Sequence, residues 1–432
     1  MDMLDLGLIG FGGLLALMAL GVPIGIAMAV AGLAGSILAV GERATMGALG
    51  SRLFSTTTSY ELSVVPMFIL MGALITRSGI GQDLYNACYA FLGRLRGGLA
   101  MATVVACGGF SAVCGSSIAT AATMARVAMP PMRSFGYADS LASASIAAGG
   151  TLGILIPPSV ILVLYGFMTS TDVGQLFIAG ILPGILAVAL YVAAIAVVTW
   201  THPHWGPPGE RTGWPERLRL LSRVGPIVLL FLLIIGTIYF GVATPTEAAG
   251  VGAFGAMLFA LWRRTPLAEF AAALVETART TASLFFVLLG ALIFANFLNF
   301  AGLTAAIADA ITGLGLGALG VILVMLLVYL VLGCFMESLS MILLTVPIFF
   351  EIIRPLGIDP IWFGIFIVMV TELSLITPPV GLNLFVIKGV VGDLRIGALY
   401  AGITPFVIAD LVRVALIIAL PGIALLLPTW AG

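Results

Sequence analysis

No stretch of this 432-residue chain is polar enough to fold as a water-covered unit, and that limits its architecture more than any motif does. Apolar runs of about 17 or more residues, each long enough to cross a bilayer, recur from end to end. Charged residues make up 9% of the chain, against about 25% in a soluble protein. Backbone groups in hydrocarbon must be bonded within their own segment, so such runs fold as helices. The expected fold is an all-α polytopic membrane protein of about 10–12 transmembrane helices. Basic residues are nearly all arginines set in short polar segments, with Lys388 the single lysine. Nothing resembles the solvated basic face that nucleic acid needs. Cys88, Cys107, Cys114 and Cys334 lie in or beside apolar runs without metal-ligand spacing, as packed free thiols do. The acidic start, Met1 to Asp5, lacks the basic flank of a cleaved leader, so the first helix is expected to be retained.

The chain reads as a duplication. Pro157-Pro158 recurs as Pro378-Pro379 about 220 residues later, and Gly180-Ile-Leu-Pro183 as Gly402-Ile-Thr-Pro405 at nearly the same offset. Gly21-Val22 matches Gly241-Val242, and Asp172 matches Asp393. This divides the chain into a first repeat (1–200), a polar cytoplasmic loop (201–224) and a second repeat (225–432).

Arginine placement orients the halves. Arg211, Arg217, Arg219 and Arg223 put the long polar stretch in the cytoplasm, and Arg263 and Arg264 return there. Each half then has an odd number of crossings, so the second repeat is inverted relative to the first. Two apolar stretches must begin and end on one side of the membrane, at about 98–132 and 318–354. These are expected to be re-entrant helical hairpins with tips near Cys114-Gly-Ser-Ser117 and Gly333-Cys-Phe-Met-Glu337. The two Pro-Pro pairs are expected to break the helices at about 138–165 and 360–388. Inverted repeats with broken helices meeting at the midplane are a secondary-transporter arrangement.

Candidate chemistry gathers at these breaks. Proline removes a backbone donor and frees carbonyl oxygens, which are hard ligands suited to a small cation; the alternative is a packing kink. The first tip offers the hydroxyls of Ser111, Ser116 and Ser117 and a half-helix start that favours an anion, or the serines act as interhelical glue. Glu337 at the second tip and Glu372 before Thr377-Pro-Pro are ion ligands, proton-sensitive groups or partners for an arginine. Arg126 either anchors the first hairpin in the cytoplasm or meets a substrate carboxylate. Asn383 can reach a substrate cavity, and Asp410 and Arg413 pair at i, i+3. An enzyme has no support: there is no nucleophile with a base, no dinucleotide or Walker motif and no metal-ligand set. Lacking a nucleotide site, uphill transport would draw on an ion gradient.

The run Gly109-Phe110-Ser-Ala-Val-Cys-Gly-Ser-Ser117-Ile-Ala-Thr, then Gly136-Tyr-Ala-Asp139, Gly150-Thr-Leu-Gly-Ile-Leu-Ile-Pro-Pro-Ser159, Leu356-Gly-Ile-Asp-Pro360 and Ile376-Thr-Pro-Pro-Val-Gly-Leu-Asn383, resembles the large, DctM-type permease subunit of tripartite ATP-independent periplasmic (TRAP) transporters. The likeness runs over essentially the whole chain. It implies an elevator-type carrier in the bacterial inner membrane, with scaffold and transport domains. It also implies a separate small four-helix membrane subunit of the DctQ type and a periplasmic substrate-binding protein of the DctP type. The implied cargo is a small organic acid (a carboxylate), with sodium as the coupling ion and no organic cofactor. Carried onto this chain, one sodium site comprises Ser111, Cys114, Gly115, Ser116, Gly153 and Pro158. The other comprises Gly333, Met336, Ser374, Thr377 and Pro379, and the substrate would meet Ser116, Ser117, Arg126, Glu337 and Asn383. Cys114, Glu337 and Ser374 stand where the family often has serine, aspartate and glycine. A standalone sodium/anion carrier of similar hairpin architecture is the alternative within transport, and a polytopic membrane enzyme or assembly scaffold the alternative outside it.

Overall fold

The computed structural model describes residues 2–313, 315 and 317–431, so Met1 and Gly432, the outer ends of the two expected repeats, lie outside the described residues. Every element among the described residues is helical. The first half opens with α1 (Met3–Ala19), α2 (Ile24–Val40), α3 (Glu42–Thr57), α4 (Val64–Arg77) and α5 (Ile80–Leu92). The first hairpin is α6 (Gly98–Cys114) and α7 (Ser117–Ser134). The first broken helix is α8 (Asp139–Thr151) and α9 (Val160–Thr169), and α10 (Val173–Thr201) ends the half.

The second half follows a similar order, with one helix fewer before its hairpin and one more after its broken helix. α11 (Trp214–Tyr239), α12 (Pro245–Trp262), α13 (Leu267–Phe300) and α14 (Leu303–Gly313) precede a second hairpin, α15 (Gly317–Leu332) and α16 (Ser338–Ile353). A second broken helix, α17 (Pro360–Ile376) and α18 (Leu382–Val391), leads to α19 (Ile396–Ala419) and α20 (Gly422–Ala431).

Among the described residues four helices, α10, α11, α13 and α19, are each long and apolar enough to cross a membrane, and α3 joins α4 through a 55° bend. Other apolar runs are cut into helices of 10–17 residues, as breaks at Gly and Pro require. One boundary differs from expectation. The polar stretch 201–224 is not all loop, because α11 begins at Trp214 with Pro215 in its first turn and Glu216 placed 3.6 Å from Arg219. Further on, α13 is a single helix of 34 residues. The rest of the polar stretch is stapled over the base of the first hairpin: Gly97 N–H donates to the Gly206 carbonyl (2.8 Å), and Ala138 N–H to that of Trp205 (3.0 Å).

The outer surface is apolar, with Leu229 and Leu232 on α11 and Phe254, Leu258 and Leu261 on α12 exposed. Trp200, Trp214, Trp262 and Trp430 stand exposed at helix ends, the depth at which amphipathic rings settle. Inside, α8 is built of small residues (Ala142, Ser143, Ala144, Ser145, Ala147, Ala148, Gly149, Gly150) and is buried from Leu141 on. Small residues let backbones approach closely without a hydrophobic driving force: a Cβ on Gly150 would lie 2.8 Å from that of Ala121 in α7.

Contacts between the halves are reciprocal. α7 packs on α18 and α16 on α9; α2 packs on α13 and α12 on α4; α8 packs on α19 and α10 on α17. Two-fold-related repeats give this exchange of equivalent partners.

Candidate functional site

The first hairpin turns because Gly115 ends α6 in the left-handed region (φ 64°), which costs a side-chain-bearing residue more. Ser116 follows in extended conformation as the N-cap of α7, its Oγ accepting from Ala119 N–H at 3.4 Å. The first break is equally local. Pro157 and Pro158 carry no N–H, the Pro157–Pro158 bond is cis, and Ser159 Oγ donates to the Ile154 carbonyl at 2.5 Å in place of a missing backbone donor.

Tip and break then meet backbone to backbone. A Cβ on Gly153 would lie 2.7 Å from the Ser116 carbonyl oxygen and 3.1 Å from Ser117 N; one on Gly115 would lie 3.5 Å from the Pro158 oxygen. Among the described residues, neither the Gly115 nor the Pro158 carbonyl accepts a backbone hydrogen bond. Ser111 is buried and its Oγ has no partner. Carbonyls without backbone donors and an unpaired hydroxyl are hard oxygen donors, the kind that suits a hard cation. From outside the pair, Gly72 of α4 closes on the tip, with room for no methyl beside the Val113 oxygen (2.8 Å).

The second tip repeats the arrangement with different residues. A Cβ on Gly333 would collide with the Ser374 side chain, so hairpin and broken helix again touch where one side has only hydrogen. Glycine sits on the broken helix in the first pair (Gly153) and on the hairpin in the second (Gly333). Ser374 is accommodated by the glycine opposite, and its Oγ donates to the Thr371 carbonyl at 2.7 Å. Thr377 Oγ1 donates to the Leu373 carbonyl at 2.6 Å, and the Pro378–Pro379 bond is cis. Among the described residues the Gly333, Met336 and Thr377 carbonyls accept no backbone hydrogen bond, whereas that of Pro379 accepts one from the Tyr400 hydroxyl. The two sites differ in access: Pro158 is buried, while Pro379, Glu337 and Phe335 (80% exposed) lie open.

The remaining candidates separate. Asn383 is completely buried, donates to the Ala147 carbonyl of α8 at 3.3 Å and leaves its Oδ1 without a partner. Ser117 is buried just past the tip. Arg126 is exposed on α7, nine residues and about two and a half turns beyond Ser117, so it does not join the tip cluster. Glu337 occupies the N-cap position of α16 but makes no side-chain cap bond. Asp410 and Arg413 pair as expected (2.9 Å), and Arg413 also takes Glu372 at 2.7 Å, with all three completely buried. Glu372 thus has the arginine partner that was one of its three readings. Tyr191, whose hydroxyl donates to Asp410 at 2.7 Å, was missed. Its signal was available: it stands 222 residues before Arg413, the spacing of Gly180 and Gly402. At the base of the first hairpin, Arg133 grips Asp139 (2.9 Å) and Asp393 (3.0 Å), and its guanidinium holds the exposed Asp393 carboxyl below the usual aspartate range.

The profile of the tripartite ATP-independent periplasmic transporter DctM component matches residues 11–423. The chain belongs to the DctM family. It is 39% identical over 386 residues to the C4-dicarboxylate TRAP transporter large permease protein DctM of Pseudomonas aeruginosa, covering 89% of this chain and 90% of that one. The isethionate TRAP transporter permease protein DctMQ of Oleidesulfovibrio alaskensis is 33% identical over 88% of this chain and 60% of its own length. In three dimensions this DctM protein shares its fold with the YdaH transporter of Alcanivorax borkumensis (TM-score 0.58, 16% identity, 88% of each chain). It is therefore a multi-pass TRAP transporter large permease, and the two relatives from Pseudomonas aeruginosa and Oleidesulfovibrio alaskensis are TRAP transporter permeases by name.

Proposed function

We propose that this permease imports a small organic acid, a carboxylate, across the bacterial inner membrane in symport with sodium. In this reading substrate arrives from a periplasmic DctP-type binding protein, and a separate DctQ-type four-helix subunit completes the membrane unit. The observation that carries it is the pair of tip-to-break contacts, Ser116 on Gly153 and Gly333 on Ser374. In each, backbone carbonyls without backbone donors converge on a helix interruption, which is where coupling cations bind in inverted-repeat carriers. Ser111, Cys114, Gly115, Ser116, Gly153 and Pro158 would hold one sodium ion; Gly333, Met336, Ser374, Thr377 and Pro379 would hold the other. The buried, half-paired Asn383 and the hydroxyls of Ser116 and Ser117 are suited to a carboxylate between them. Hairpins and broken helices, packed on one another across the two repeats, would move as one elevator-type transport domain against a scaffold of α2, α4, α12 and α13. Relatives named for C4-dicarboxylate and isethionate support a small anion as cargo.

The test is uptake of labelled organic acids into proteoliposomes holding this chain with its small subunit, with binding protein outside and an inward sodium gradient. Uptake that requires both sodium and the binding protein is expected. Uptake indifferent to sodium would refute the coupling, and uptake without the binding protein would make the chain a standalone carrier.

A further inference from the structure

A row of buried polar side chains in mutual contact lies between the two broken helices. From the second repeat, Glu372 at the end of α17 pairs with Arg413 of α19, which pairs with Asp410. Asp410 Oδ2 accepts from the Tyr191 hydroxyl of α10 (2.7 Å), and Thr151 Oγ1 at the end of α8 lies 3.4 Å from the Tyr191 oxygen. Thr151, Tyr191, Glu372, Asp410 and Arg413 are all completely buried.

The ends of this row are not arbitrary. Thr151 and Glu372 are 221 positions apart, the spacing of Pro157 and Pro378, so they occupy equivalent places in the two repeats. Tyr191 and Arg413 are likewise equivalent. The row therefore runs from one broken helix to its counterpart, with Asp410 as the joint. Each end also stands two residues before a candidate ion ligand: Thr151 before Gly153, Glu372 before Ser374. Both supporting segments, α8 and α17, are buried along nearly their whole length. Interiors packed in this way transmit a displacement rather than absorb it.

We infer that Thr151, Tyr191, Asp410, Arg413 and Glu372 are positioning residues that couple the two breaks, so that a cation held at one break favours the geometry that holds a cation at the other. This rests on the sodium-site reading above and adds to it a route of cooperativity between the sites. A coupling claim needs a physical element biased by both sites. Here that element is a strut of ion-paired, hydrogen-bonded and packed polar side chains whose two ends lie on the two site-bearing helices. The first-repeat and second-repeat parts of this strut are joined by the single Tyr191–Asp410 hydrogen bond. Cutting it separates the repeats' halves of the strut while the Glu372–Arg413–Asp410 ion pairs stay in place.

The experiment measures uptake rate against sodium concentration for the full transporter in proteoliposomes, comparing wild type with Tyr191→Phe, Thr151→Val and Tyr165→Phe. Tyr165→Phe is the control: its hydroxyl donates to the Pro360 carbonyl at 2.6 Å, a bond between the same repeats but at the far end of α17. With two coupled sites the wild-type Hill coefficient is expected near 2, and Tyr191→Phe should lower it towards about 1. Thr151→Val should lower it less, because its contact is longer, and Tyr165→Phe should keep the wild-type curve. A folded Tyr191→Phe transporter with an undiminished Hill coefficient overturns the inference. So does a sodium-dependent wild type with a coefficient of about 1, or an equal fall in the Tyr165→Phe control. Should Tyr191→Phe fail to fold, Thr151→Val decides by the same criteria. A wild type indifferent to sodium overturns the ion-site reading itself and this inference with it.

Discussion

Exchanging Gly333 and Ser374 for alanine and glycine tests the contact on which the second site depends. A methyl group on Gly333 has nowhere to go: it would run into Ser374, which lies within a fully buried segment and is pinned by its bond to the Thr371 carbonyl. Overpacking of this kind costs about 1–3 kcal/mol. Ser374→Gly alone loses that bond and places glycine within a helix, at about 0.5–1 kcal/mol. In the double variant the new methyl fills the space the serine vacates, so the two losses should not add; an interaction energy of about 1–2 kcal/mol is expected for residues in direct contact. If the strain falls on the ion-loaded geometry, Gly333→Ala should raise the sodium concentration for half-maximal uptake by about 5- to 150-fold. The double variant should recover most of that rise. The assay is the sodium midpoint of uptake for all four proteins, with melting temperature in detergent as the check on folding. Strictly additive effects, or a Gly333→Ala transporter with an unchanged midpoint, would show that tip and break do not meet as described.

Gly153→Ala places a methyl 2.7 Å from the Ser116 oxygen, so a shift of about tenfold or more in the sodium midpoint is expected, read from the same uptake curves. Arg413→Met leaves Glu372 and Asp410 buried without their cation and should destabilise the protein by about 3–5 kcal/mol; the triple variant with Glu372→Gln and Asp410→Asn should regain most of it, as measured by thermal unfolding. The Arg133–Asp393 pair carries a pH signature. Asp393 is lowered by its bonds to Arg133, so its contribution is full above the ordinary aspartate value of 3.8 and is lost as pH falls through the lower folded value. Arg133→Gln should therefore flatten the fall of melting temperature between neutral pH and the acid range below that value, and added salt should shrink the difference between the two proteins.

Some of this was legible in the sequence because it is local. The first tip falls at Gly115-Ser116 and the breaks at Pro157-Pro158 and Pro378-Pro379, because glycine at positive φ, a capping serine and a missing N–H act on their own neighbours; the second tip falls at Gly333–Glu337. Membrane residence was legible for a similar reason: apolar run length needs no partner to be read. The position of Arg126 was less so, since helix phase near a loop depends on how the hairpin lies against its neighbours, and that placed it outward. Glu337 was read as a site group from its place at a tip, yet it lies exposed while the equivalent Ser116 caps its helix.

By itself, then, the sequence determined solvent, helicity, the duplication and where the chain must break, since each follows from short-range sterics or from transfer between water and hydrocarbon. Only the tertiary structure decided which groups meet. Gly153 finds Ser116 and Gly333 finds Ser374 because small residues let backbones close where lipid offers no competing hydrophobic force. Glu372 and Arg413 lie 41 positions apart on different helices and Tyr191 lies in the other repeat; no periodicity links them. Their joining was settled by burial, which leaves a charge at the centre of a membrane protein no partner except another side chain brought there by the fold.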